Sequence, residues 1–495
     1  MNQRVWNRRE LLKDTGKLSI LWGLQGFTLL EAILASRVEA ATGWDLSPLT
    51  NNLSSDDALI LVPTDELYAR YNQEFNLRTA KLPAIRILVK NTQAVVICLQ
   101  WLKKSDIPFS IRCGGHSFEG LSQCSSVVID TRLINEAHVD VTHHTVTVGG
   151  GASLGHIYKT ITAYGFAYPG GSCPNVGVSG HILGGGYGLL GRTYGLACDN
   201  LISAEIVTAD GKIETASQDT NPDLFWALKG GGGGSFGVVT SYTLKLHPLD
   251  KVSVFGISWN LPKDKASPIF KNWQSWIHSA PSEITSLFRL NKNKDGTFYL
   301  YSVGQSTKSE TWLQNELRAL KIVPPNKQMV KTLSFMDAVK HFAGKEDYIS
   351  VYMKGKSDYI YDEMSEDGIN IALTEMDKGF AGSVGLAFDG YGGQIANVRA
   401  SETAFVHRDA RSVIQYFCQW QNNKTADARM AHVRAVHKSL RPYVSGYAYV
   451  NYCDTDIADW AQAYWGGNLE RLIEVKSKWD PNNFFKHAQS IPVKE

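Results

Sequence analysis

Among its seven cysteines the 495-residue sequence has no Cys-x-x-Cys pair and no cysteine–histidine spacing of the metal-binding kind, which argues against structural zinc and leaves no metal ligand to assign. Charge of one sign is also missing. The 50 Lys and Arg face 48 Asp and Glu, so no broad basic field is on offer to a nucleic acid. Internal repeats and low-complexity tracts are absent. Beyond the first 40 residues no apolar run is long enough to span a bilayer, so stable membrane insertion is not expected. What is present is an ordinary globular composition, 43% hydrophobic and 20% charged, at a length that supports two domains with developed cores. The 13 Trp and 21 Tyr suit such a core, and equally suit contact with sugars or other ring-shaped ligands. If one cysteine is committed elsewhere, the remaining six are either free core residues or disulfide partners, and spacing does not pair them.

The first 40 residues stand apart. Arg8 and Arg9 precede Leu11, Leu12 and Lys13, and a largely apolar stretch, LSILWGLQGFTLLEAILA, follows. This resembles a twin-arginine export signal, with a small-residue cleavage pattern at Val38-Glu39-Ala40 and a mature chain starting near Ala41. An amphipathic helix is the alternative, since Lys17 and Glu31 interrupt the apolar stretch. Export by that route carries proteins already folded around a cofactor and implies a periplasmic or extracellular, bacterial location.

Residues 85–90, 108–113 and 126–131 read as strands, with an amphipathic helix capped by Thr92 between the first two, so 85–113 is expected as a βαβ unit. DELYARYNQEF and LGHIYKTITAYG read as helices, residues 139–153 alternate with period two, and 204–217 reads as a hairpin turning on Asp210-Gly211. The texture changes near Pro248. From 251 to about 444 longer strands such as TFYLYSVG and VGLAFDGYGG alternate with expected helices, RSVIQYFCQWQ among them, and a third segment follows with a helix over AQAYWGGNLERLIEVKSKWD.

Three glycine-rich stretches carry the chemistry. Residues 168–195, YPGGSCPNVGVSGHILGGGYGLLGRTYG, place ten glycines around Cys173. Glycine at that density means close approach to the main chain or positive φ. In RCGGHSFEG, Gly114 and Gly115 sit at a strand end before His116, as a diphosphate cradle or a plain tight turn. Gly230 to Gly234 precede Ser235-Phe236-Gly237, as a nucleotide-contacting loop or a flexible one.

Together these stretches, with TAFVHRDA, YVNYCD, WDPNNFF and QSIP in order, resemble the berberine-bridge-enzyme-like branch of the FAD-linked oxidases, from about residue 60 to the C-terminus. The resemblance implies an α+β fold. An FAD-binding domain of two α+β subdomains over 55–250 is completed by 445–495, and a substrate domain over 251–444 has an antiparallel sheet covered by helices. It implies bicovalent FAD, with His116 on the 8α-methyl and Cys173 on C6 of the flavin. Arg112, Gly114, Gly115, Ser117, Val176, Gly177, Gly180, Gly184, Val239 and Asn451 are implied FAD contacts, and a valine at 176 goes with oxygen reactivity.

In similar enzymes the Tyr of the Asn-Tyr pair is the base that takes the substrate hydroxyl proton, here Tyr452, with Tyr449 as second choice. A phenol titrates near 10, so neighbouring charge or hydrogen bonds are expected to lower it. Asp389 is expected beside the base or as a turn cap, and Gln394 and Asn397 as pocket groups. Plant members carry an acidic residue in the segment aligned with 396–398, where this chain has Asn397, so the resemblance does not by itself carry over their alkaloid or cannabinoid chemistry. The implied activity is oxidation of a hydroxyl-bearing carbon, first of a carbohydrate to a lactone, with dioxygen giving hydrogen peroxide. The alternatives are oxidation or cyclisation of a secondary metabolite, and a non-catalytic flavin-bearing binding protein.

Overall fold

The computed structural model describes residues 42–343 and 350–494. The export-signal expectation lies outside them. The fold is α+β and rests on three main sheets and a two-stranded one. The first holds β1 (Ala58–Leu61), β2 (Ile85–Val89), β3 (Phe109–Arg112) and β4 (Val127–Asp130) in the order β1-β2-β4-β3. Both β2 and β3 run parallel to β4, which lies between them, so the expected βαβ crossover exists but its two strands are not neighbours. The crossover helix, Thr92–Ser105, is capped by the Asn91 side chain accepting from the Ala94 amide; the cap is one residue earlier than expected, because Asn91 is the extended residue there.

The second sheet takes β5 (Ala137–Asp140), β6 (Thr145–Gly149), β8 (Leu201–Val207), β9 (Ile213–Ser217) and β10 (Val238–Lys245), all antiparallel, in the order β5-β6-β10-β8-β9. The β8–β9 hairpin turns at Asp210-Gly211, where Gly211 takes φ +82°. A two-stranded ladder of β7 (Phe166–Ala167) and β11 (His247–Pro248) closes this layer.

The third sheet has seven antiparallel strands: β12 (Lys251–Leu261), β13 (Ile284–Lys292), β14 (Phe298–Ser306), β15 (Lys327–Ser334), β16 (Tyr352–Ile360), β17 (Gly385–Gly390) and β18 (Ser412–Trp420), in the order β15-β12-β14-β13-β17-β18-β16. Helices Lys263–Ser279, Glu366–Lys378 and Ala426–Leu440 join its apolar face in one core, into which β13 sends Phe288 and Leu290 and β18 sends Ile414, Tyr416 and Cys418. The alternate residues, Leu287 and Arg289 on β13 and Gln415, Phe417 and Gln419 on β18, face the other way. β18 was expected as a helix. Its β-branched and aromatic residues instead fill an interior strand between β16 and β17, with every second side chain buried.

The C-terminal segment packs on the first half of the chain. Its expected single helix is two, Trp460–Trp465 and Leu469–Trp479, broken where Gly466 takes φ +45°. DELYARYNQEF yields only the single turn Tyr68–Tyr71. Buried Lys476 ties the segment down, donating to Asp480 and to the carbonyls of Ser235 and Phe485. Among the described residues no helix is long and apolar enough to cross a membrane.

Candidate active site

A cavity of about 540 Å³ lies between the glycine loops and the open face of the seven-stranded sheet. The loops that follow β3, surround Cys173 and contain Gly231–Gly234 form one side; β13, β17, β18 and residues 449–453 form the other. Gly114 and Gly177 bring two loops together main chain against main chain, and a Cβ on either would overlap the other's backbone. Gly180 and Gly233 are open towards the cavity: a Cβ at Gly180 would meet nothing within 4 Å. A wall of bare main chain lets a dinucleotide cofactor approach closely, so the residues present fit FAD.

His116 and Cys173 both line this space. The His116 ring stacks on Phe75 at 4.6 Å between centroids, and burial, aided by Arg112, lowers it to about 4, so the imidazole is neutral at physiological pH. Cys173 is exposed within the cavity, yet its turn is pinned from both sides. The Val176 amide bonds to the Cys173 carbonyl (3.2 Å), and the Gly155 amide to the Pro174 carbonyl (2.8 Å). Gly171 donates its N–H to His181 Nε2 (3.0 Å) and accepts from the Tyr158 hydroxyl (2.7 Å). His181 therefore keeps Nε2 unprotonated, in keeping with burial lowering it to about 4. The surrounding protein pushes the Cys173 thiol up, and Arg289 opposes that in part.

Across the cavity the Tyr452 hydroxyl donates to Asp389 Oδ2 at 2.9 Å, and Arg289 Nη1 stands 3.3 Å from Asp389 Oδ1. The Tyr452 ring lies parallel to Phe118, with centroids 5.6 Å apart and planes within 2°. Burial above all, then Asp389 and Tyr449, push Tyr452 well above the ordinary phenol value, while Arg289 pulls the other way. The expected lowering is thus not found. With a carboxylate accepting its proton, the phenol form is the favoured one. Tyr449 is engaged differently. Its oxygen receives N–H donors from Gly186 (3.0 Å), Tyr187 (3.3 Å) and Asn451 (3.0 Å), so it is occupied in fixing the glycine loop and Asn451.

Ser117, Val176, Val239 and Asn451 also line the cavity, as do Gly114, Gly115, Gly177 and Gly180. Four expected site residues do not. Arg112 is buried behind the His116 loop, bonded to Glu74 (2.8 Å) and Asp130 (3.2 Å), and a Cβ on Gly115 would run into its guanidinium. It shapes the loop from behind. In that ionic cluster burial raises Glu74 to about 7 despite Arg112. Gly184 sits under the Asn451 amide, where a side chain would displace it. Gln394 and Asn397 bond to each other at the surface (3.1 Å), because β17 ends at Gly390 and the left-handed Gly392 and Gly393 turn the chain outward.

Several lining residues were not singled out by sequence: Arg289, Gln415, Phe417 and Gln419 from the sheet, and His181 and His487 from the loop side. The sheet residues are legible only as the outward half of a period-two strand, and the sequence pattern over β18 points to a helix instead. His407, in the TAFVHRDA stretch, is structural: it faces the Tyr361 hydroxyl (2.9 Å) and the Tyr464 carbonyl (2.9 Å). Asp454, two residues after Tyr452, is anchored by Lys354 (2.6 Å) and Lys356, and Lys354 also holds Glu119 (2.7 Å), three residues after His116. Among the described residues no cluster of His, Cys, Asp and Glu is placed to hold a metal, and no disulfide forms.

Comparison with known proteins bears on this geometry. Residues 83–217 match a family described as FAD binding domain, and residues 448–492 one described as berberine and berberine like. The chain is 33% identical over 439 residues to the uncharacterized FAD-linked oxidoreductase YgaK of Bacillus subtilis, covering 88% of this chain and 96% of that protein. It is 31% identical over 504 residues to monolignol oxidoreductase AtBBE-like 13 of Arabidopsis thaliana, covering 93% and 92%. Among solved structures, berberine bridge enzyme from Eschscholzia californica superposes with a TM-score of 0.84 at 27% identity over 91% of this chain and 99% of that one. BBE-like 1 of Physcomitrella patens gives 0.82 at 29% identity over 89% and 98%.

Proposed function

The chain belongs to the berberine-bridge-enzyme-like FAD-linked oxidoreductases, and we propose that it oxidises a hydroxyl-bearing carbon of a small molecule with Tyr452 as the proton-accepting group. The observation that carries this reading is the Tyr452–Asp389 hydrogen bond of 2.9 Å at the wall of a glycine-cradled cavity. His116 and Cys173 are the side chains that would hold FAD covalently, and Gly114, Gly115, Ser117, Gly177, Gly180, Val239 and Asn451 those that would surround it. Bound there, FAD supplies a two-electron hydride acceptor that dioxygen reoxidises, with hydrogen peroxide as product. Val176, half-buried in the cavity lining, is small enough to leave room for dioxygen.

Tyr452 orients the substrate hydroxyl and takes its proton as the C–H bond breaks, and Asp389 receives the proton that Tyr452 gives up. Phe118 holds the phenol ring flat while the rest of the sheet face orients the substrate. The polar groups on that face, Gln415 and Gln419, suit a carbohydrate oxidised at the anomeric carbon to a lactone. The second reading is an aromatic or secondary-metabolite alcohol. It is favoured by the apolar groups beside them, Leu287, Met353, Phe118 and Phe417, and by the likeness to a monolignol oxidoreductase. A purely binding role is disfavoured by the intact Tyr452–Asp389 pair.

The deciding experiment is a peroxide-release screen of the holoenzyme over mono- and oligosaccharides, aromatic alcohols and phenols, run beside Tyr452→Phe. Turnover that drops by on the order of 100-fold or more in the variant supports the assignment. A variant as active as the parent removes Tyr452 from the chemistry, and a silent panel with no anaerobic bleaching favours the binding role.

A further inference from the structure

Asp389 has two carboxylate oxygens, and each meets a different partner. Oδ2 takes the Tyr452 hydroxyl at 2.9 Å, and Oδ1 faces Arg289 Nη1 at 3.3 Å. The register pairs Leu287 with Asp389 and Arg289 with Ala387, which makes Arg289 and Asp389 diagonal neighbours on one face of the β13–β17 ladder. Both side chains are thus carried by interior strands, where a fixed geometry is easiest to keep. The Asp389 side chain is 4% exposed and that of Arg289 21%. A buried carboxyl that lacks a cation takes up a proton, and a protonated Asp389 has no charge with which to attract the phenol's proton.

The groups facing Arg289 come from four directions: Asp389 on β17, Tyr301 on β14, Tyr452 with Tyr187 from the cavity wall, and Cys173 from its loop. Asp389 is the carboxylate among them. Burial works against the Arg289 charge, and Asp389, with Tyr452 and Tyr301 adding to it, more than offsets that cost, so the guanidinium holds its proton more tightly than usual.

We propose that Arg289 is a positioning residue that acts through Asp389: by binding Oδ1 it keeps Asp389 a carboxylate, so that the Tyr452 hydroxyl points to Oδ2 and presents its lone pair to the substrate. This rests on the alcohol-oxidation reading of the same cavity. In the step, the substrate O–H bond breaks as its proton joins the Tyr452 oxygen, and the Tyr452 O–H bond breaks as that proton joins Asp389 Oδ2. The electron pair left on the substrate oxygen becomes the second bond of the new C=O. The hydrogen of the adjacent C–H bond leaves with both bonding electrons, as hydride, for which bound FAD would be the two-electron acceptor. Arg289 gives up nothing and touches no reacting atom.

Two measurements on the holoenzyme test this. The first is infrared difference spectroscopy of the parent, Arg289→Met, Arg289→Lys and the double variant Arg289→Met/Asp389→Asn at neutral pH, without substrate. A protonated-carboxyl band that is present in Arg289→Met and absent from the parent, from Arg289→Lys and from the double variant is the expected result. The second is the pH profile of anaerobic flavin reduction by D-glucose, cellobiose or coniferyl alcohol, whichever bleaches the parent fastest.

Arg289→Met is expected to reduce on the order of 100-fold more slowly at neutral pH. Its acid limb is expected to move up by about one pH unit or more, and Arg289→Lys to restore the limb. An Arg289→Met enzyme with no such band, and with a rate lowered equally at every pH, overturns the proposal and leaves Arg289 a packing residue. If none of the three alcohols bleaches the parent, the alcohol-oxidation reading fails with these probes, and the infrared arm still decides whether Arg289 holds Asp389 charged.

Discussion

The loop side of the cavity presents main chain, at Gly114, Gly177, Gly180 and Gly231–Gly234; the sheet side presents side chains, at Arg289, Asp389, Gln415 and Phe417. The first wall is shaped by what is missing, since a Cβ at Gly114 or Gly177 would overlap backbone. The second is shaped by what alternate strand residues present, charges and rings on a rigid ladder. A bare wall grips a cofactor by its outline and tolerates few substitutions. A decorated wall sets the chemistry, and its residues can be exchanged without unmaking the fold.

The largest expected effect breaks the bare wall. Gly114→Ala and Gly177→Ala force backbone apart at the loop contact and should lower unfolding free energy by about 1–3 kcal/mol, as overpacking does. Gly180→Ala should stay within about 0.5 kcal/mol of the parent, because its Cβ meets nothing, and should instead weaken flavin loading. Chemical denaturation with flavin-to-protein ratios separates the two outcomes; equal destabilisation of all three would mean that the glycines act through flexibility rather than contact.

An intermediate effect concerns acid. His181 and His487 line the cavity, and burial lowers each to about 4 from an ordinary value near 6.5. Between those values the unfolded chain binds protons that the folded chain refuses, so stability is full above about pH 6.5 and is lost as pH falls towards 4. Melting temperatures over that range should fall with decreasing pH, and less steeply in His487→Gln. Equal slopes for parent and variant would show that His487 contributes nothing to this loss.

The smallest effect belongs to the residues that the sequence placed in the pocket and the structure places outside. Gln394→Ala and Asn397→Ala should each change stability by less than about 0.5 kcal/mol and leave flavin reduction as it is. A KM shift in either would return that residue to the site.

The same contrast explains what the sequence revealed. Glycine loops are contiguous, so RCGGH and PGGSC were readable as strings, and Tyr452 came with its neighbour Asn451. The sheet wall is assembled from β13, β17 and β18, strands far apart in the chain, and only their register sets Arg289 diagonal to Asp389. Reading β18 as helix hid Gln415, Phe417 and Gln419 in a pattern whose alternate members are core. Arg112 was misassigned for a related reason: the string shows it next to the glycines, but not that Glu74 and Asp130 hold it behind them.

The central proposal is one cofactor fastened from two loops, by His116 and by Cys173. Intact-mass measurement of the acid-denatured protein tests this most directly, with peptide mapping of the parent, His116→Ala, Cys173→Ala and the double variant. The account predicts flavin mass retained by the parent on a cross-linked peptide pair containing both residues, retained by each single variant on the remaining one, and released by the double variant. Flavin released from the denatured parent, or retained by the double variant, would contradict it.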